Sequence, residues 1–453
     1  MTELLSIILA AGEGTRMRSA TPKVLHPVGG LPMVGHVMRT ALGAGSTDIC
    51  VVVGPNHEAV QAEVGRHGAS QVFSQLERLG TGHAVRQARA AFEAASGNVV
   101  VLYADNPLVS KNTVATIAAR LDDGADIVVV GYRPADPTNL GRLLTDNGRL
   151  LAIREHRDAT EEERKIGLAN SGIIGFRADT LRSIIDRIDN KNAKGEYYLT
   201  DAVELANADG RRVEFIEADA GEVMGVDDRT RLAAAEAQFQ ELRRADFMQA
   251  GVTLKDPSSV WFSYDTEIGR DVTIFPNVVF GAGVKIADNV EIRAFCDIED
   301  AVIGAGSSIG PFARIRGGAV LEQDVHLGNF VEVKKSNIGA GTKAGHLSYL
   351  GDAEIGSKTN IGAGTITCNY DGVTKDKTVI GDNVFIGSNA SLVAPVTIGN
   401  GAYTASGSVI TEDVPVDALA LGRARQENKP GYAPKLREKA LAKKAAALAA
   451  KGK

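Results

Sequence analysis

A glycine-rich turn near the start of the sequence contains the residue types that bind phosphate. Gly12 and Gly14 follow an apolar segment, and Arg16 and Lys23 come shortly after them. Glycines let backbone N–H groups approach phosphate oxygens closely, and nearby cations neutralise an anionic substrate. The turn has neither the third glycine of a dinucleotide-binding fingerprint nor the Gly-Lys-Ser/Thr of a P-loop. The combination of strand, glycine-rich turn, Arg and Pro-Lys therefore predicts a phosphate site of another kind.

Acidic residues at two other places are candidate ligands for a divalent ion. Asp105 follows a buried apolar run, in Tyr-Ala-Asp-Asn-Pro. Mg²⁺ is usually held by one or two carboxylates together with substrate phosphates. An Asp after a strand is often a helix cap, but its company with the glycine-rich turn favours the metal role. Asp227 is the natural second ligand, with Asp228 as a competitor.

In the second half of the chain, His346 is a candidate general base. It lies in one of two segments, 334–350 and 365–379, that interrupt a regular repeat, and Lys334 and Tyr349 are near it in sequence. A general base beside a nucleophile accelerates its reaction by about 10²–10⁴-fold. Zinc chemistry would need an open site with three protein ligands. Only His326 and His346 lie in this half, so one chain cannot build a three-histidine site.

The first half alternates short apolar runs with helical stretches, which is typical of a parallel sheet covered on both faces. In such sheets ligands bind at the carboxyl ends of the strands. We expect strands at residues 5–10, 49–54, 99–103, 127–131, 172–176 and 212–216.

The second half repeats aliphatic residues every six positions. A hexapeptide repeat of this kind predicts a left-handed parallel β-helix, in which each unit forms one flat side of a triangular coil and points its aliphatic residue inward. The repeating positions are Ile303, Ile309, Ile315, Leu321, Leu327 and Val333, then Ile355 and Ile361, then Ile380, Ile386, Leu392 and Ile398. Interruptions of a solenoid usually map to loops, so 334–350 and 365–379 are expected to leave the coil.

These patterns divide the chain into an α/β Rossmann-like domain (1–228), a linker helix (229–250), the β-helix (251–434) and an Ala/Lys-rich tail (435–453). The net charge of -6 argues against a general nucleic-acid binder. The cysteines at 50, 296 and 368 lack disulfide or metal-ligand spacing and are expected to be reduced. We expect no signal peptide, no membrane span and a cytosolic location.

The N-terminal residues resemble the sugar-phosphate nucleotidyltransferases. Residues 3–430 together resemble the bacterial bifunctional enzymes that combine N-acetylglucosamine-1-phosphate uridylyltransferase with glucosamine-1-phosphate N-acetyltransferase. The most particular motifs are Lys334, His-Leu-Ser-Tyr-Leu-Gly-Asp at 346–352 and Asn-Tyr-Asp-Gly at 369–372. The family usually has Asn where this chain has Asp227, and Tyr-Gly-Asp-Val-Pro where this chain has Tyr-Ala-Asp-Asn-Pro.

For the first half, the resemblance implies one or two Mg²⁺ ions on Asp105 and Asp227, catalytic roles for Arg16 and Lys23, and contacts of Gly141, Glu155 and Asn170 with the sugar. The remaining uridine triphosphate (UTP) contacts would be Leu9, Ala10, Gly12, Gly14, Lys23, Gln75, Gly80 and Thr81, with Asp227 also touching the nucleotide product.

For the second half, the resemblance implies that His346 is the base. Glucosamine 1-phosphate would be bound by Arg316, Lys334, Tyr349, Asn360 and Lys375. Acetyl-coenzyme A would be bound by Ala363, Asn369, Tyr370, Ser388, Ser406 and Arg423. The family also implies a homotrimer with active sites between neighbouring prisms, and small-molecule substrates rather than nucleic acid or membrane.

The resemblance implies that the chain makes UDP-N-acetylglucosamine, a precursor of peptidoglycan and lipopolysaccharide, by acetyl transfer followed by uridylyl transfer. One alternative is a β-helix that serves only as an oligomer scaffold, but a scaffold has no use for His346, Lys334, Arg316 and the Asn369-Tyr370 pair. Another alternative keeps the nucleotidyl transfer and changes the sugar, for instance to glucose 1-phosphate.

Overall fold

The computed structural model describes residues 3–55, 57–69 and 71–451. The chain forms two compact units, Met1–Lys285 and Ile286–Lys453. The α-helices are α1 (Met33–Gly43), α2 (Glu58–Arg66), α3 (Thr81–Gln87), α4 (Arg89–Ala94), α5 (Lys111–Asp122), α6 (Glu161–Arg164), α7 (Ala178–Ile184), α8 (Ala202–Ala208), α9 (Arg229–Gln249) and α10 (Tyr432–Lys451). Short 3₁₀ turns lie at Thr15–Met17, Lys23–Leu25, Ile185–Arg187, Leu199–Asp201 and Pro257–Ser259.

The first unit is built on a twisted central sheet. Its main strands are β1 (Leu4–Ala10), β2 (Asp48–Val53), β3 (Gln71–Ser74), β4 (Asn98–Tyr103), β5 (Ile127–Tyr132), β6 (Ala169–Arg177) and β7 (Val213–Glu217). They lie in the order β7-β5-β6-β4-β1-β2-β3. Successive residues of β1 enter opposite apolar cores, Leu5 and Ile7 on one face and Leu4 and Ile8 on the other. Because β1 to β4 are parallel, the loops after their carboxyl ends meet at one edge.

One strand runs opposite to the expected direction. β6 is antiparallel to both neighbours, β4 and β5. The segment between β5 and β6 forms an unexpected hairpin, Arg142–Asp146 with Arg149–Arg154. The hairpin pairs with the first residue of β6, so the chain re-enters the sheet from the edge at which it left. An apolar run encodes burial but not strand direction, which explains the wrong prediction. As a consequence Asn170, at the start of β6, lies at the same edge as the carboxyl ends of the parallel strands.

In the second unit, short parallel strands repeat once per coil turn and form a triangular prism. Ala301–Ile303, for example, pairs in register with Ala319–Leu321. The repeating aliphatic residues named above are all buried, at 4% exposure or less. The left-handed hexapeptide β-helix is therefore confirmed. After residue 286 the strands are Glu291–Ile292, Asp297–Ile298, Ala301–Ile303, Ser308–Ile309, Arg314–Arg316, Ala319–Leu321, His326–Lys334, Asn337–Ile338, Lys343–Gly351, Ala353–Ile355, Asn360–Ile361, Ile366–Cys368, Thr378–Ile380, Phe385–Ile386, Ser391–Val393, Val396–Ile398, Tyr403–Thr404, Val409–Ile410 and Leu419–Ala420.

Of the two expected interruptions, only one leaves the coil. Segment 334–350 continues it through strands Asn337–Ile338 and Lys343–Gly351. Ile338 takes the inward position one residue early and Ala344 takes the next, and both are buried. A search for large aliphatic residues spaced six apart misses Ile338, which is one position early, and Ala344, which is small. The true excursion is the loop between strands Ile366–Cys368 and Thr378–Ile380.

The linker helix and the tail are both helical. α9 has its amino-terminal cap at Asp228, directly after Asp227. In the tail, α10 is exposed along the part whose side chains are described, and residues 452–453 of the predicted tail lie outside the described residues. Within the described part of the chain, no helix combines the length and apolar character needed to cross a bilayer.

Candidate active sites

A cavity of about 300 Å³ opens at the carboxyl edge of the central sheet. Gln75, directly after β3, is 4% exposed and donates a hydrogen bond from Nε2 to Gly80 O at 3.1 Å. The buried amide therefore ties the end of one strand to the loop that begins α3. The predicted nucleotide-binding and metal-binding residues that line the cavity are Leu9, Ala10, Gly12, Lys23, Gln75, Gly80, Thr81 and Asp105.

Two of the predicted glycines are required by the backbone. Gly14 has φ 65°, and a Cβ there would lie 2.4 Å from Lys23 Cβ. Gly80 has φ 106°, and a Cβ there would lie 2.6 Å from Tyr197 O. Left-handed backbone disfavours any side chain, and both positions are also filled by neighbouring atoms. The glycines thus let Lys23 and the Tyr197 backbone approach the loops that surround the cavity.

The predicted metal ligands Asp105 and Asp227 face one common point, which is occupied by an ammonium group. Lys23 Nζ contacts Asp105 Oδ2, and it lies 3.2 Å from Asp227 Oδ1. Arg16 pairs with the other oxygen of Asp227 at 3.0 Å. Burial lowers the pKa of Lys23, but the charges of Asp105 and Asp227 outweigh burial and raise that pKa overall. Likewise burial raises the pKa of Asp227, and the nearby Lys23 and Arg16 bring it below its usual value.

This geometry fits a divalent ion. Two carboxylates already converge on one cation, and carboxylate oxygens are the ligands that Mg²⁺ prefers. Within residues 3–55, 57–69 and 71–451 no group of three His, Cys, Asp or Glu side chains is arranged to hold a metal. A pair of carboxylates suits an ion that takes its other ligands from water and substrate phosphates.

The structure distinguishes Asp227 from Asp228. Asp228 Oδ1 accepts a hydrogen bond from Arg231 N at 2.9 Å and caps α9, whereas Asp227 faces Lys23. The Asp227 loop is tied to the Asp105 loop, because Val226 N donates to Asp105 O at 2.8 Å. The cap and this bond hold the two carboxylates at a fixed separation.

The predicted sugar residues lie close together, and one of them, Glu155, is near Tyr103. A Cβ at Gly141 would lie 3.4 Å from Glu155 Oε1 and 3.5 Å from Asn170 Cβ. Burial raises the pKa of Glu155. Burial also raises the pKa of Tyr103, and the charges of Glu155 and Asp105 add to the effect. Tyr103 therefore lies near both Glu155 and Asp105.

Glu155 also borders a second cavity of about 440 Å³, which contains several acidic side chains. Burial raises the pKa of Asp201 to about 6, with further contributions from Glu204 and Asp189. Tyr198 also lines this cavity; its hydroxyl is buried, and no hydrogen-bond partner for it is found among the described residues.

In the second unit, one edge of the prism carries His346 and most of the predicted coenzyme contacts. Backbone hydrogen bonds connect the corners of successive turns: Gly364 N to Leu347 O, Asn389 N to Ala363 O, and Gly407 N to Ser388 O. His346, Ala363, Ser388 and Ser406 each directly precede the corner residue of their turn, so they form one column. Arg423 extends it, since a Cβ at Gly407 would lie 3.8 Å from Arg423 Cδ. We call this column, from His346 to Arg423, the base edge.

Asn329 orients His346 from the preceding turn. The two residues are in register, and His346 Nδ1 lies 2.8 Å from Asn329 Oδ1. An amide oxygen carries no hydrogen, so Nδ1 donates and the lone pair is on Nε2. His346 is exposed, so this nitrogen can meet a substrate.

A different edge of the prism carries the predicted phosphate-binding cations. Arg316 and Lys334 are in register on adjacent turns, and Lys334 is in register with Gly351. Lys375 lies beside Lys334, and repulsion between the two cations lowers the pKa of Lys334. We call this group, Arg316, Lys334 and Lys375, the cation edge. Tyr349 belongs to it too, because a Cβ on Gly351 would lie 2.4 Å from the Tyr349 hydroxyl.

Within one chain the two edges are separate. The corner at Leu347, where φ is 51°, lies between His346 and the side of the coil that ends at Gly351, five residues further along the chain. Asn360, predicted to bind the sugar phosphate, lies on neither edge. Its strand pairs with Lys343 and Phe385 and comes before the base edge along the chain, whereas the side that leads to the cation edge comes after it. One chain therefore does not bring Asn360 against the cation edge.

The loop that leaves the coil presents the Asn369-Tyr370 pair. Asn369 is buried and donates from Nδ2 to Asp352 Oδ2, while Tyr370 is 59% exposed. Asp371 holds the turn by accepting from Val373 N at 2.7 Å and Thr374 N at 2.6 Å. Asn369 is thus fixed beside the cation edge, and the Tyr370 ring is free to meet a ligand.

Comparison with known proteins matches both halves. Residues 6–168 match the family model of the MobA-like NTP transferase domain, residues 254–340 that of the GMPPB C-terminal domain, and residues 377–412 that of the bacterial transferase hexapeptide (six repeats). The chain is 55% identical over 435 residues to the bifunctional protein GlmU of Azorhizobium caulinodans, covering 96% of this chain and 97% of the relative. It is 52% identical over 443 residues to that of Agrobacterium fabrum (98% of each chain), and 50% identical over 446 residues to that of Paramagnetospirillum magneticum (98% and 99%).

The chain belongs to the GlmU family. The resemblance inferred from the motifs is therefore confirmed, as are the two-part fold and the enzyme class. The chain is a bifunctional transferase with a nucleotidyltransferase half and a hexapeptide acyltransferase half.

Several residues of these candidate sites were not predicted from the sequence. Arg78 lines the nucleotide cavity and donates from Nε to Ala11 O at 2.8 Å, bracing the glycine-rich turn. Glu196 lines the same cavity, and Asn329 orients His346. Arg78 and Glu196 lie in polar loops with no motif of their own. Asn329 had a usable signal, because it stands 17 residues before His346, one coil turn away.

Proposed function

We propose that the chain makes UDP-N-acetylglucosamine in two steps, at two separate sites. The second unit transfers an acetyl group from acetyl-coenzyme A to glucosamine 1-phosphate. The first unit then joins the product to the uridylyl group of UTP and releases pyrophosphate. The observation that carries the proposal is the clustering of predicted residues in each half: Asp105, Lys23 and Asp227 meet beside the cavity of the first unit, and His346 shares one column of the prism with four of the six predicted coenzyme contacts.

For uridylyl transfer, we propose that the cavity positions the nucleotide for attack by the sugar phosphate. The glycine-rich turn offers backbone N–H groups to the phosphates, and Lys23 and Arg16 add positive charge. Asp105 and Asp227 would hold Mg²⁺, which when bound neutralises charge on the phosphates. Glu155 and Asn170 would bind the sugar, so that its phosphate oxygen lies toward the α-phosphorus of UTP.

For acetyl transfer, His346 would act through Nε2. The nitrogen takes a proton from the glucosamine amine as the amine attacks the thioester carbonyl. The carbon–sulfur bond then breaks, and the departing coenzyme A takes up that proton and leaves as the free thiol. The bond from Nδ1 to Asn329 keeps the imidazole in the tautomer that can do this. The cations of Arg316, Lys334 and Lys375 would bind the substrate phosphate, and Arg423 would bind phosphates of the coenzyme.

The separation of the base edge from the cation edge supports a site shared between copies, and with it a homotrimer. A second prism that lays its cation edge beside His346 would close the site. In the turns that come before His346, the base edge continues as a stack of aromatic rings that favours such packing. Phe295, Phe312 and Phe330 stack at centroid distances of 4.9 and 5.1 Å, and each ring residue is about half exposed. Exposed apolar patches of this kind commonly mark association surfaces.

A coupled assay on the purified protein tests the proposal. Glucosamine 1-phosphate, acetyl-coenzyme A, UTP and Mg²⁺ are supplied, and free thiol and pyrophosphate are followed together. Release of both products is expected. If pyrophosphate appears only when N-acetylglucosamine 1-phosphate is supplied, and no thiol is released at any time, the β-helix serves only as a scaffold. Neither product would mean that the sugar is wrong.

A further inference from the structure

Lys23 occupies the point at which the two predicted metal ligands converge. Its ammonium contacts Asp105 and lies 3.2 Å from Asp227. The three side chains are only 10%, 18% and 26% exposed. The cluster is therefore a largely buried ion pair in which the Lys23 ammonium occupies the predicted metal position.

The ammonium and a divalent ion cannot hold this position together. Both would use the same carboxylate oxygens, and Mg²⁺ needs them at about 2.0–2.1 Å. Two cations within a few ångströms in a half-buried site also repel each other strongly. Binding of the ion therefore requires the Lys23 side chain to move.

The neighbourhood of Lys23 gives the displaced ammonium a place to go. A Cβ on Gly12 would lie 3.8 Å from Lys23 Nζ, so the ammonium already lies beside the glycine-rich turn. Lys23 also lines the nucleotide cavity. A small rotation of the side chain would bring three N–H donors to phosphates held by the turn.

We propose that Lys23 is an exchangeable occupant of the metal position: the divalent ion displaces its ammonium from Asp105 and Asp227, and the freed ammonium moves to the nucleotide phosphates. This exchange rests on the proposed nucleotidyl transfer and specifies how that site is regulated. Without nucleotide, Lys23 competes with the metal and keeps its affinity low. With nucleotide, the phosphates stabilise the displaced ammonium, so metal and nucleotide bind cooperatively.

The first experiment measures metal binding without nucleotide. Mn²⁺ is titrated into the full-length protein and the free ion is followed by electron paramagnetic resonance. Lys23→Gln removes the competing cation, and its Mn²⁺ affinity should rise by about tenfold or more. Unchanged or weaker Mn²⁺ binding in this variant would overturn the exchange.

Two matched variants separate the exchange from a general charge effect. Arg16→Gln removes the same charge, but the ion pair found for Arg16 among the described residues is with Asp227, and the Arg16 side chain is 67% exposed. Its Mn²⁺ affinity should change by about threefold or less, because solvent screens it. Lys255→Gln, at an exposed position outside the cluster, should leave the affinity unchanged. An equal rise in all three variants would contradict a specific role for Lys23.

A second measurement uses the wild-type protein and so does not depend on the folding of a variant. Acylation of Lys23 by an amine reagent is quantified by peptide mass spectrometry. Mg²⁺ alone should increase labelling several-fold by releasing the ammonium, and added UTP should protect it again. An extent of Lys23 labelling that does not change when Mg²⁺ is added would refute the proposal. Both experiments need no sugar and no turnover, so absent uridylyl transfer in the wild-type assay would refute the proposed function independently of the exchange.

Discussion

Asn329 offers a sharp test of how the base edge works. Its Oδ1 is the hydrogen-bond acceptor found for His346 Nδ1 among the described residues, and the two atoms are 2.8 Å apart. Asn329→Ala removes the acceptor and leaves the imidazole in place. Without the bond the ring can rotate, and the tautomer with the lone pair on Nε2 loses its advantage. Asn329 is a positioning residue, so its loss should lower the rate of acetyl transfer more than it weakens substrate binding.

The size of the effect follows from the strength of one hydrogen bond. A neutral bond contributes about 0.5–1.5 kcal/mol net, which corresponds to a factor of about 2–12 in rate. His346 is exposed and water can replace part of the bond, so the lower half of that range is expected. His346→Ala should instead cost about 10²–10⁴-fold, because the base itself is gone.

The assay follows thiol release with glucosamine 1-phosphate and acetyl-coenzyme A, with uridylyl transfer measured on the same preparation. We expect kcat to fall by about 2–5-fold, KM to stay near its wild-type value, and uridylyl transfer to be unchanged. Asn329→Asp retains an acceptor at the same position and should recover more activity than Asn329→Ala. A variant as inactive as His346→Ala, or one with full activity, would refute the positioning role.

Other perturbations address the first unit. Asp105→Ala should abolish uridylyl transfer measured as pyrophosphate release and spare acetyl transfer; full nucleotidyl transfer in this variant would remove Asp105 from the metal site. Gly14→Ala places a side chain at φ 65° and a Cβ 2.4 Å from Lys23 Cβ. Strain of about 1–2 kcal/mol per left-handed residue, plus displacement of Lys23, should lower uridylyl transfer at least about tenfold, and wild-type rates would show that the turn is not rigid. Asp201 has its pKa raised to about 6, so the folded protein binds more protons than the unfolded chain between about pH 4 and 6, and this group's contribution to stability falls as pH rises through that window. Asp201→Asn should therefore increase the unfolding free energy of the first unit relative to wild type, and increasingly so from pH 4 to 7. The gain should stay below the roughly 3 kcal/mol of the full shift, because Asp201 is partly exposed and solvent screens it; a pH-independent difference in thermal unfolding would contradict the raised pKa.

The β-helix was predictable because its repeat is dictated by one physical requirement. Each turn must bury an aliphatic residue on each side, so Ile303, Ile309 and Ile315 appear at a spacing that neither a helix nor simple alternation can produce. The same rule failed at Ala344, where a small residue fills the inward position. Period searches recognise the size of a side chain, whereas the coil requires only that the position be apolar and inward.

The grouping of residues around the cavity of the first unit was predictable where those residues lie close together in the sequence. Gly12, Gly14 and Lys23 lie close in sequence, and their role depends on one local turn. The direction of β6 was not predictable, because its pairing depends on a connection through the 142–154 hairpin. Nor could sequence show that Lys23 bridges Asp105 and Asp227, since the contact joins residues 82 and 204 positions apart.

The same limit applied to the acetyl-transfer residues. The motif grouped His346, Lys334 and Tyr349 because they are near in sequence. The coil separates them, since a corner lies between successive sides, and places His346 on the base edge and Lys334 on the cation edge. Sequence proximity within a solenoid therefore predicts a shared turn but not a shared edge.

We propose that one chain contains two independent active sites that act in sequence. Complementation between two single-site variants tests it most directly. His346→Ala and Asp105→Ala are purified separately and supplied with glucosamine 1-phosphate, acetyl-coenzyme A, UTP and Mg²⁺, and UDP-N-acetylglucosamine is quantified by chromatography. Each variant alone should form almost no product, whereas the mixture should form it, because N-acetylglucosamine 1-phosphate made by one protein can be used by the other. A mixture that stays inactive, although both variants are folded, would contradict two separable sites.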